Sequence, residues 1–319
     1  MTLVPPPFDP ELAAALEIVA GRMPEMTLET LTRAPRGPVV TDEQLSGPDG
    51  FFSIEDLAVP GQDGAPEVSL LVCRPKNSVG TRPIVYFTHG GGMVLGNNRT
   101  GVETALAWAR ELDAVVVSVE YRLAPENPHP APIEDVYAGL IWTAEHAEHL
   151  GGDAERIIIA GPSAGGGLTA ALALLARDRK GLSPIAQVLM CPMLDARNDS
   201  PSAVQMHGRG VWDRAANAIG WDALLGENRD AAAVSQYASP ARAEDLSGLP
   251  PALVDVGSAE TFRDEAVAYA SRIWQAGGVA ELHVWPGGFH GYDTLAPQAA
   301  LSHATEAARL QWLRRLLGE

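Results

Sequence analysis

Between residues 68 and 317 short β-branched runs alternate with longer amphipathic segments. The runs are Val68–Cys73, Ile84–Phe87, Ala114–Val119, Arg156–Ala160, Ala186–Met190, Ala252–Val256 and Glu281–Trp285. The segments Gly101–Leu112, Ile133–Leu150, Leu168–Arg179, Arg263–Ala276 and Ala299–Leu317 space their apolar residues at helical intervals. Strands separated by helices of roughly 10 to 20 residues predict βαβ units and a mostly parallel sheet covered on both faces. Phe51–Val59 and Val68–Cys73 differ, because the tight Gly61–Gly64 loop between them predicts an antiparallel hairpin. Ahead of the hairpin, Leu12, Leu16 and Val19 predict a helix from Pro10 to about Leu31, and the Pro/Gly-rich stretch Ala34–Pro38 sets it apart. One region breaks the rhythm: from about Arg197 to Asp245 no strand is predicted. It holds two helical pieces carrying Met206, Val211, Trp212, Trp221 and Leu224. A long insertion at the strand-end face of an α/β sheet is expected to be a lid or binding wall rather than a plain surface excursion.

Composition narrows the function classes. The 319 residues are 46% hydrophobic and 20% charged, which is ordinary globular usage and excludes disorder and coiled coil. That length fits two domains, or one large α/β domain with an attached lobe. The formal charge of −17 repels phosphate backbones and anionic lipid, so neither a nucleic-acid partner nor a membrane partner is expected. The start MTLVPPPFDP lacks the basic and apolar regions of a secretory leader, and no apolar run approaches a membrane span. A cytoplasmic protein is the expectation. Cys73 and Cys191 both sit in apolar runs and are expected to be buried free thiols rather than a disulfide.

The strongest chemical signal is Arg156–Ala160 followed by Gly161-Pro162-Ser163-Ala164-Gly165 and a helical pattern. A strand, a G-x-S-x-G turn and a helix expose a serine hydroxyl on a strained reversal. Residues without a Cβ two before and two after are expected to keep clear of the serine itself. The helix N-terminus behind it favours a developing oxyanion. Gly165-x-Gly167-x-x-Ala170 also matches a dinucleotide fingerprint, but it follows at least four strands, and the next strand ends in Met190-Cys191-Pro192 without an acid. A second signal, His89-Gly90-Gly91-Gly92-Met93 after a strand, suits a loop whose N–H groups face an acyl oxygen. His89 then orders the loop rather than reacting.

A nucleophilic serine needs a base, and the base a carboxylate, in the chain order serine, acid, histidine. His283 lies inside a strand and His303 in the last helix, which leaves His290, on the loop after Pro286-Gly287-Gly288-Phe289, as the base. The acid belongs after the strand Ala252–Val256. Glu260, in mid-loop, is preferred, with Asp255, Asp264 and Glu265 as the other candidates. No metal constellation is expected: His146 and His149 lack the H-E-x-x-H order and read as a solvated helix face. Arg177–Lys180 reads as a solvated helix end.

With Tyr121-Arg122-Leu123-Ala124-Pro125-Glu126 between them, the His89–Gly92 and Gly161–Gly167 segments resemble the hormone-sensitive-lipase family of bacterial carboxylesterases, from about Val68 to Tyr292. The resemblance implies an α/β-hydrolase fold with a helical cap. It divides the chain into residues 1–45 and 197–245 for the cap and 46–196 and 246–319 for the core. It implies Ser163 as nucleophile, His290 as base, and the N–H groups of Gly91, Gly92 and Ala164 as oxyanion hole. Met93, Met206, Val211 and Trp212 are candidates for the substrate wall. The family's acid is an aspartate before Pro-Leu-x-Asp-Glu. Here Glu260-Thr261-Phe262-Arg263-Asp264-Glu265 puts a glutamate in its place and keeps Asp255 and Asp264 open. Two further departures are Pro162, where aspartate is common, and Tyr292, where phenylalanine is frequent. The expected activity is hydrolysis of small short-chain esters through an acyl-enzyme, without metal or organic cofactor. An amidase or lactonase on the same triad is the alternative, and a non-catalytic hydrolase-fold receptor is disfavoured because all triad members are present. A homodimer is compatible with the resemblance.

Overall fold

The computed structural model describes residues 3–20, 27–33, 40–76, 80–226 and 234–318. The strands are β1 (Phe52–Val59), β2 (Val68–Pro75), β3 (Arg82–Thr88), β4 (Val115–Glu120), β5 (Gly152–Pro162), β6 (Ala186–Met190), β7 (Ala252–Gly257) and β8 (Ala280–Trp285). They form one sheet in the order β1-β2-β4-β3-β5-β6-β7-β8. β1 pairs antiparallel with β2 as the sequence predicts, and β2 also pairs antiparallel with β4. From β4 to β8 every pairing is parallel.

The helices are α1 (Pro10–Ala20), α2 (Leu28–Arg33), α3 (Asp42–Ser46), α4 (Val102–Glu111), α5 (Ala131–Glu145), α6 (Ala164–Asp178), α7 (Pro201–Gln205), α8 (Arg214–Leu225), α9 (Arg263–Gln275), α10 (Tyr292–Leu295) and α11 (Ala300–Leu317). Alternate strand residues point to opposite faces, which divides the core in two. Ile84 and Tyr86 pack with Leu140 of α5, Leu172 of α6 and Ile273 of α9. Val85 and Phe87 pack with Trp108 of α4 and Trp312 and Leu313 of α11. The sheet is thereby covered on both sides, and the loops after the carboxyl ends of the parallel strands share one edge, where open α/β sheets bind ligands. Among the described residues no helix is long and apolar enough to cross a membrane.

Three local expectations change. The single helix from Pro10 to Leu31 is two, α1 and α2, with 21–26 outside the described residues; the Thr27 hydroxyl accepts from the N–H of Thr30 and starts α2 afresh. The stretch 34–38 also lies outside the described residues. α5 stops at Glu145, so the exposed His146 and His149 follow the helix rather than line its face. The end of α6 is more than solvated: Arg177 donates to the carbonyls of Asp245 and Ser247, and Asp178 accepts from Tyr237 Oη (2.8 Å), tying the end of the insertion to the core. Cys73 and Cys191 are both free and buried, and burial pushes the Cys73 thiol up to about 12.

Candidate active site

β5 ends at Pro162 and α6 begins at Ala164, so Ser163 makes the reversal alone. Its backbone sits at φ 55°, ψ −120°, a strained conformation for a residue with a side chain. Main-chain bonds hold it there: its N–H donates to Met190 (2.8 Å), and its carbonyl accepts from Gly167 (3.0 Å) and Met193 (2.9 Å). The flanking glycines are required for a different reason from the one the sequence pointed to. A Cβ on Gly165 would lie 2.0 Å from the carbonyl oxygen of Thr88, and one on Gly161 2.6 Å from the same oxygen. They let the turn press against the end of β3 and, since a Cβ on Gly161 would also lie 2.6 Å from the Gly165 carbonyl, let it close on itself; Ser163 is not among the nearest atoms at either position.

β3 runs into the glycine loop. The His89 ring is fully buried and stacks on Tyr121 (4.1 Å between centroids, 12° between planes). Its Nδ1–H donates to the Gly90 carbonyl (2.8 Å), and Tyr121 Oη donates to the His89 carbonyl (2.8 Å). Burial drives the imidazole pKa down to about 4, which keeps it neutral and suits a loop-ordering role. Gly91 and Gly92 have φ +123° and +60°, and Gly90 passes the nucleophile turn, where a Cβ on it would be 3.6 Å from that of Ser163.

Two loops complete the site. Glu260 lies between β7 and α9, and His290 between β8 and α10. His290 Nε2 is 2.9 Å from Ser163 Oγ, and His290 Nδ1 is 3.3 Å from Glu260 Oε2. Phe262 meets the imidazole edge-on at 5.1 Å. The loops touch main chain to main chain: Ala259 N–H donates to Gly288 (3.1 Å), and a Cβ on Gly257 would be 2.1 Å from the Gly288 carbonyl oxygen.

The other carboxylates are committed elsewhere. Asp255 forms a two-bond ion pair with Arg309 of α11 (2.7 and 2.7 Å). Asp264 accepts from the N–H of Ser202 (2.7 Å) and pairs with Arg263. Glu265 accepts from the N–H groups of Leu194 (2.6 Å) and Asp195 (3.2 Å), and burial pushes its pKa well up. Of the other late histidines, His283 is half-buried, stacked on Trp285 and 2.9 Å from Glu281, while His303 is exposed on α11.

The insertion reaches the site through Trp212. A Cβ on Gly92 would lie 2.2 Å from Trp212 Cη2, so the indole lies directly over the glycine loop. Its Nε1–H donates to Asn217 Oδ1 (3.3 Å), Asn217 donates to Asn198 (3.0 Å), and Thr261, beside Glu260, donates to the Trp212 carbonyl (2.7 Å). Met93 and Met206 are buried. Val211 is half-buried and packs with Leu12 of α1, Phe289 and Tyr292. Two contributors escaped the sequence reading. Arg309 reaches both Asp255 and Asp293 (2.6 Å), so it links the strand leading to Glu260 with the helix following His290. Thr261 is the other. Neither carries a local motif; an arginine among the apolar positions of the last helix was the one signal for the first.

Known proteins agree with this architecture. A family model described as alpha/beta hydrolase fold matches residues 84–294. Carboxylesterase NlhH of Mycobacterium tuberculosis is 36% identical over 266 residues, covering 83% of each chain. An ethyl acetate hydrolase of Pseudomonas putida is 31% identical over 89% of this chain and 92% of its own. The solved structure of a bacterial heroin esterase superposes with a TM-score of 0.87 at 38% identity, covering 97% of this chain and 98% of that one. The chain belongs to the hormone-sensitive-lipase-like family of carboxylesterases within the α/β-hydrolase fold.

Proposed function

We propose that the chain hydrolyses small short-chain carboxylic esters through a Ser163–His290–Glu260 triad and an acyl-enzyme. The observation that carries this is the contact chain from Ser163 Oγ to His290 Nε2 (2.9 Å) and from Nδ1 to Glu260 (3.3 Å), anchored on a strained serine. Ser163 Oγ attacks the ester carbonyl as His290 takes its proton. Glu260 holds the imidazole with Nδ1–H towards itself and stabilises the imidazolium. The N–H groups of Gly91, Gly92 and Ala164 receive the oxyanion, a contribution worth about 10²–10³ in turnover per donor. His290 then protonates the leaving alcohol and activates the water that releases the acid.

Short acyl chains are favoured because Trp212 covers Gly92, and α8 leaves no room there: a Cβ on Gly220 would be 2.7 Å from the Gly92 carbonyl oxygen. A relative named for ethyl acetate hydrolysis supports the same size range. Residues 1–45 and 197–245 act as the cap, with Met93, Met206, Val211 and Trp212 on the substrate wall. In support, Gln205 donates to the Val4 carbonyl (2.8 Å), and Val211 packs with Leu12.

Initial rates on p-nitrophenyl acetate, butyrate, octanoate and palmitate test the reading. Wild type should favour acetate and butyrate, Ser163→Ala should be inactive, and Glu260→Gln should lose roughly 10³–10⁴ in kcat. A fully active Glu260→Gln would move the acid elsewhere, and preference for palmitate would sink the size argument.

A further inference from the structure

Cys191 follows the last residue of β6, and its N–H donates to the Asp255 carbonyl (2.7 Å). That places its thiol among the groups of the triad. Its sulfur, a carboxylate oxygen of Glu260 and a ring nitrogen of His290 all lie within 4.8 Å of one another. Among the described residues, this is the group of three side chains with metal-ligand character close enough to share one ion. The triad explains only part of the arrangement. Glu260 has an inaccessible side chain, and while Oε2 faces His290, Oε1 is buried without a hydrogen-bond partner. A buried carboxylate oxygen left without a donor is costly, and a cation satisfies it.

We propose that Cys191, Glu260 and His290 form an inhibitory site for one thiophilic divalent cation of the Zn²⁺ type. Binding itself does not depend on the proposed function; the inhibition rests on it. Sulfur, imidazole nitrogen and carboxylate oxygen are the three ligand types of protein-bound zinc, with bonds of about 2.0–2.3 Å. A tetrahedral ion therefore asks these atoms to close to somewhat under 4 Å apart, a shift of about 1 Å at the widest. Mg²⁺ and Ca²⁺ call for six or more oxygens and find one here. On binding, the Cys191 S–H bond breaks, its proton passes to solvent, and the sulfur lone pair forms the S–Zn bond. Glu260 and His290 each donate a lone pair. Thiolate and carboxylate together cancel the ion's two charges.

Either nitrogen of His290 serves, with the same consequence. A cation on Nε2 removes the lone pair that faces Ser163. A cation on Nδ1 separates the imidazole from Glu260 and forces the proton to Nε2. In both cases the base is lost without any change in the covalent structure, and a chelator restores it. The device is particular to a chain with cysteine at the end of β6, since neither Glu260 nor His290 supplies a soft ligand.

Calorimetric titration of the full-length Ser163→Ala protein with ZnCl₂ reads binding without turnover. One site is expected, absent with MgCl₂. Cys191→Ala should weaken it at least tenfold, since even outer-shell changes around bound metals cost about 10–100-fold. Glu260→Gln, which keeps the thiol, should weaken it comparably and serves if the Cys191 variant does not fold. In parallel, ZnCl₂ should inhibit ester hydrolysis by the wild type, EDTA should reverse it, and Cys191→Ala should resist. Equal zinc affinity with and without Cys191, or no binding at millimolar zinc, overturns the site. Binding lost in the variants, together with a wild type inactive on every ester, would keep the site and overturn the esterase reading instead.

Discussion

Ser163 is fixed by main chain alone, whereas the loops of Glu260 and His290 are fixed by main chain together with side chains borrowed from distant segments. On the nucleophile side, Gly161 and Gly165 press against the end of β3, and three main-chain bonds hold the serine. On the acid–base side the loops also meet main chain to main chain, with Gly257 against Gly288 and the N–H groups of Ser258 and Ala259 donating to Trp285 and Gly288, but side chains add to this. Arg309 comes from α11, Thr261 reaches the insertion, and Leu12 of α1 packs on Phe289 beside the base. The first arrangement has no space for an extra atom. The second is equally tight at Gly257, but depends in addition on partners whose loss leaves buried charges or donors behind.

The sharpest way to break this contrast is to add one methyl group on the nucleophile side. Gly165→Ala puts a carbon 2.0 Å from the Thr88 oxygen, at the buried end of a central strand, and 2.5 Å from that of His89 just beyond it. Overpacking normally costs 1–3 kcal/mol, and backbone on the receiving side leaves no flexible neighbour to give way; about 4 kcal/mol or more is expected. Urea unfolding checks it, and a folded, active Gly165→Ala would show that the turn can move. Removal is the matching test on the other side. Arg309→Leu strands Asp255, whose side chain is 4% exposed, and frees the Asp293 and Glu306 contacts. Losing one partner of a buried pair costs about 3–5 kcal/mol, and the low end applies because Glu306 reaches solvent. The positioning role adds a kinetic signature: kcat should fall several-fold with KM little changed, and Arg309→Lys should recover part of it. A stability loss with kcat untouched would reduce Arg309 to scaffolding.

The same contrast explains what could be read from the sequence. Main-chain packing leaves a local trace, because close approach requires glycine; hence Gly161, Gly165 and Gly90–Gly92 marked the nucleophile turn and its partner loop in advance. The strands and the doubly covered sheet were legible for a similar reason, since buried parallel strands are written as β-branched runs, but their order in the sheet was not. Side chains borrowed across 54 residues, as Arg309 is by Asp255, leave no spacing rule to read. The proposed preference for Glu260 over Asp255 and Asp264 therefore rests on the Arg309 ion pair and the Ser202 contact, neither of which leaves a trace in the sequence. The lid-or-wall expectation for Arg197–Asp245 was positional; that Trp212 is the residue over Gly92 needed coordinates.

His89 sharpens the comparison through pH, because it is the one buried titratable ring on the nucleophile side's supporting loop. Its pKa falls from 6.5 to about 4 in the folded chain because it is buried. Above pH 6.5 the ring is neutral in both states and contributes no pH dependence. Between 6.5 and 4 the unfolded chain takes up a proton that the folded chain refuses, so stability declines as pH falls, by up to about 3 kcal/mol. Carboxylates add their own acid sensitivity, so the informative quantity is the difference from His89→Gln at each pH. The wild type's advantage at pH 7 should shrink by about that amount at pH 4. An advantage that stays constant with pH would mean the ring is hydrated or moves.

The smallest expected effect separates borrowed contacts that matter from those that do not. Tyr292, two residues after the base, is buried, and its hydroxyl bonds to Thr305 of α11. Thr305 also donates to the Leu301 carbonyl one turn back (2.9 Å), so removing the phenol oxygen leaves its partner bonded. Tyr292→Phe keeps the ring that meets Phe289 at 6.4 Å and packs with Leu12. The expected cost is about 1 kcal/mol or less, the net worth of one hydrogen bond with no orphan created. Both kcat and KM should be unchanged on p-nitrophenyl butyrate. That is the opposite of Arg309→Leu, although both bonds tie α11 to the loops of the same site. The difference is predicted by what each deletion leaves unpaired: a buried carboxylate in one case, nothing in the other. If Tyr292→Phe costs as much as Arg309→Leu, the position of α11 rather than the pairing of Asp255 holds the base, and the contrast between the two sides would have to be redrawn around that helix.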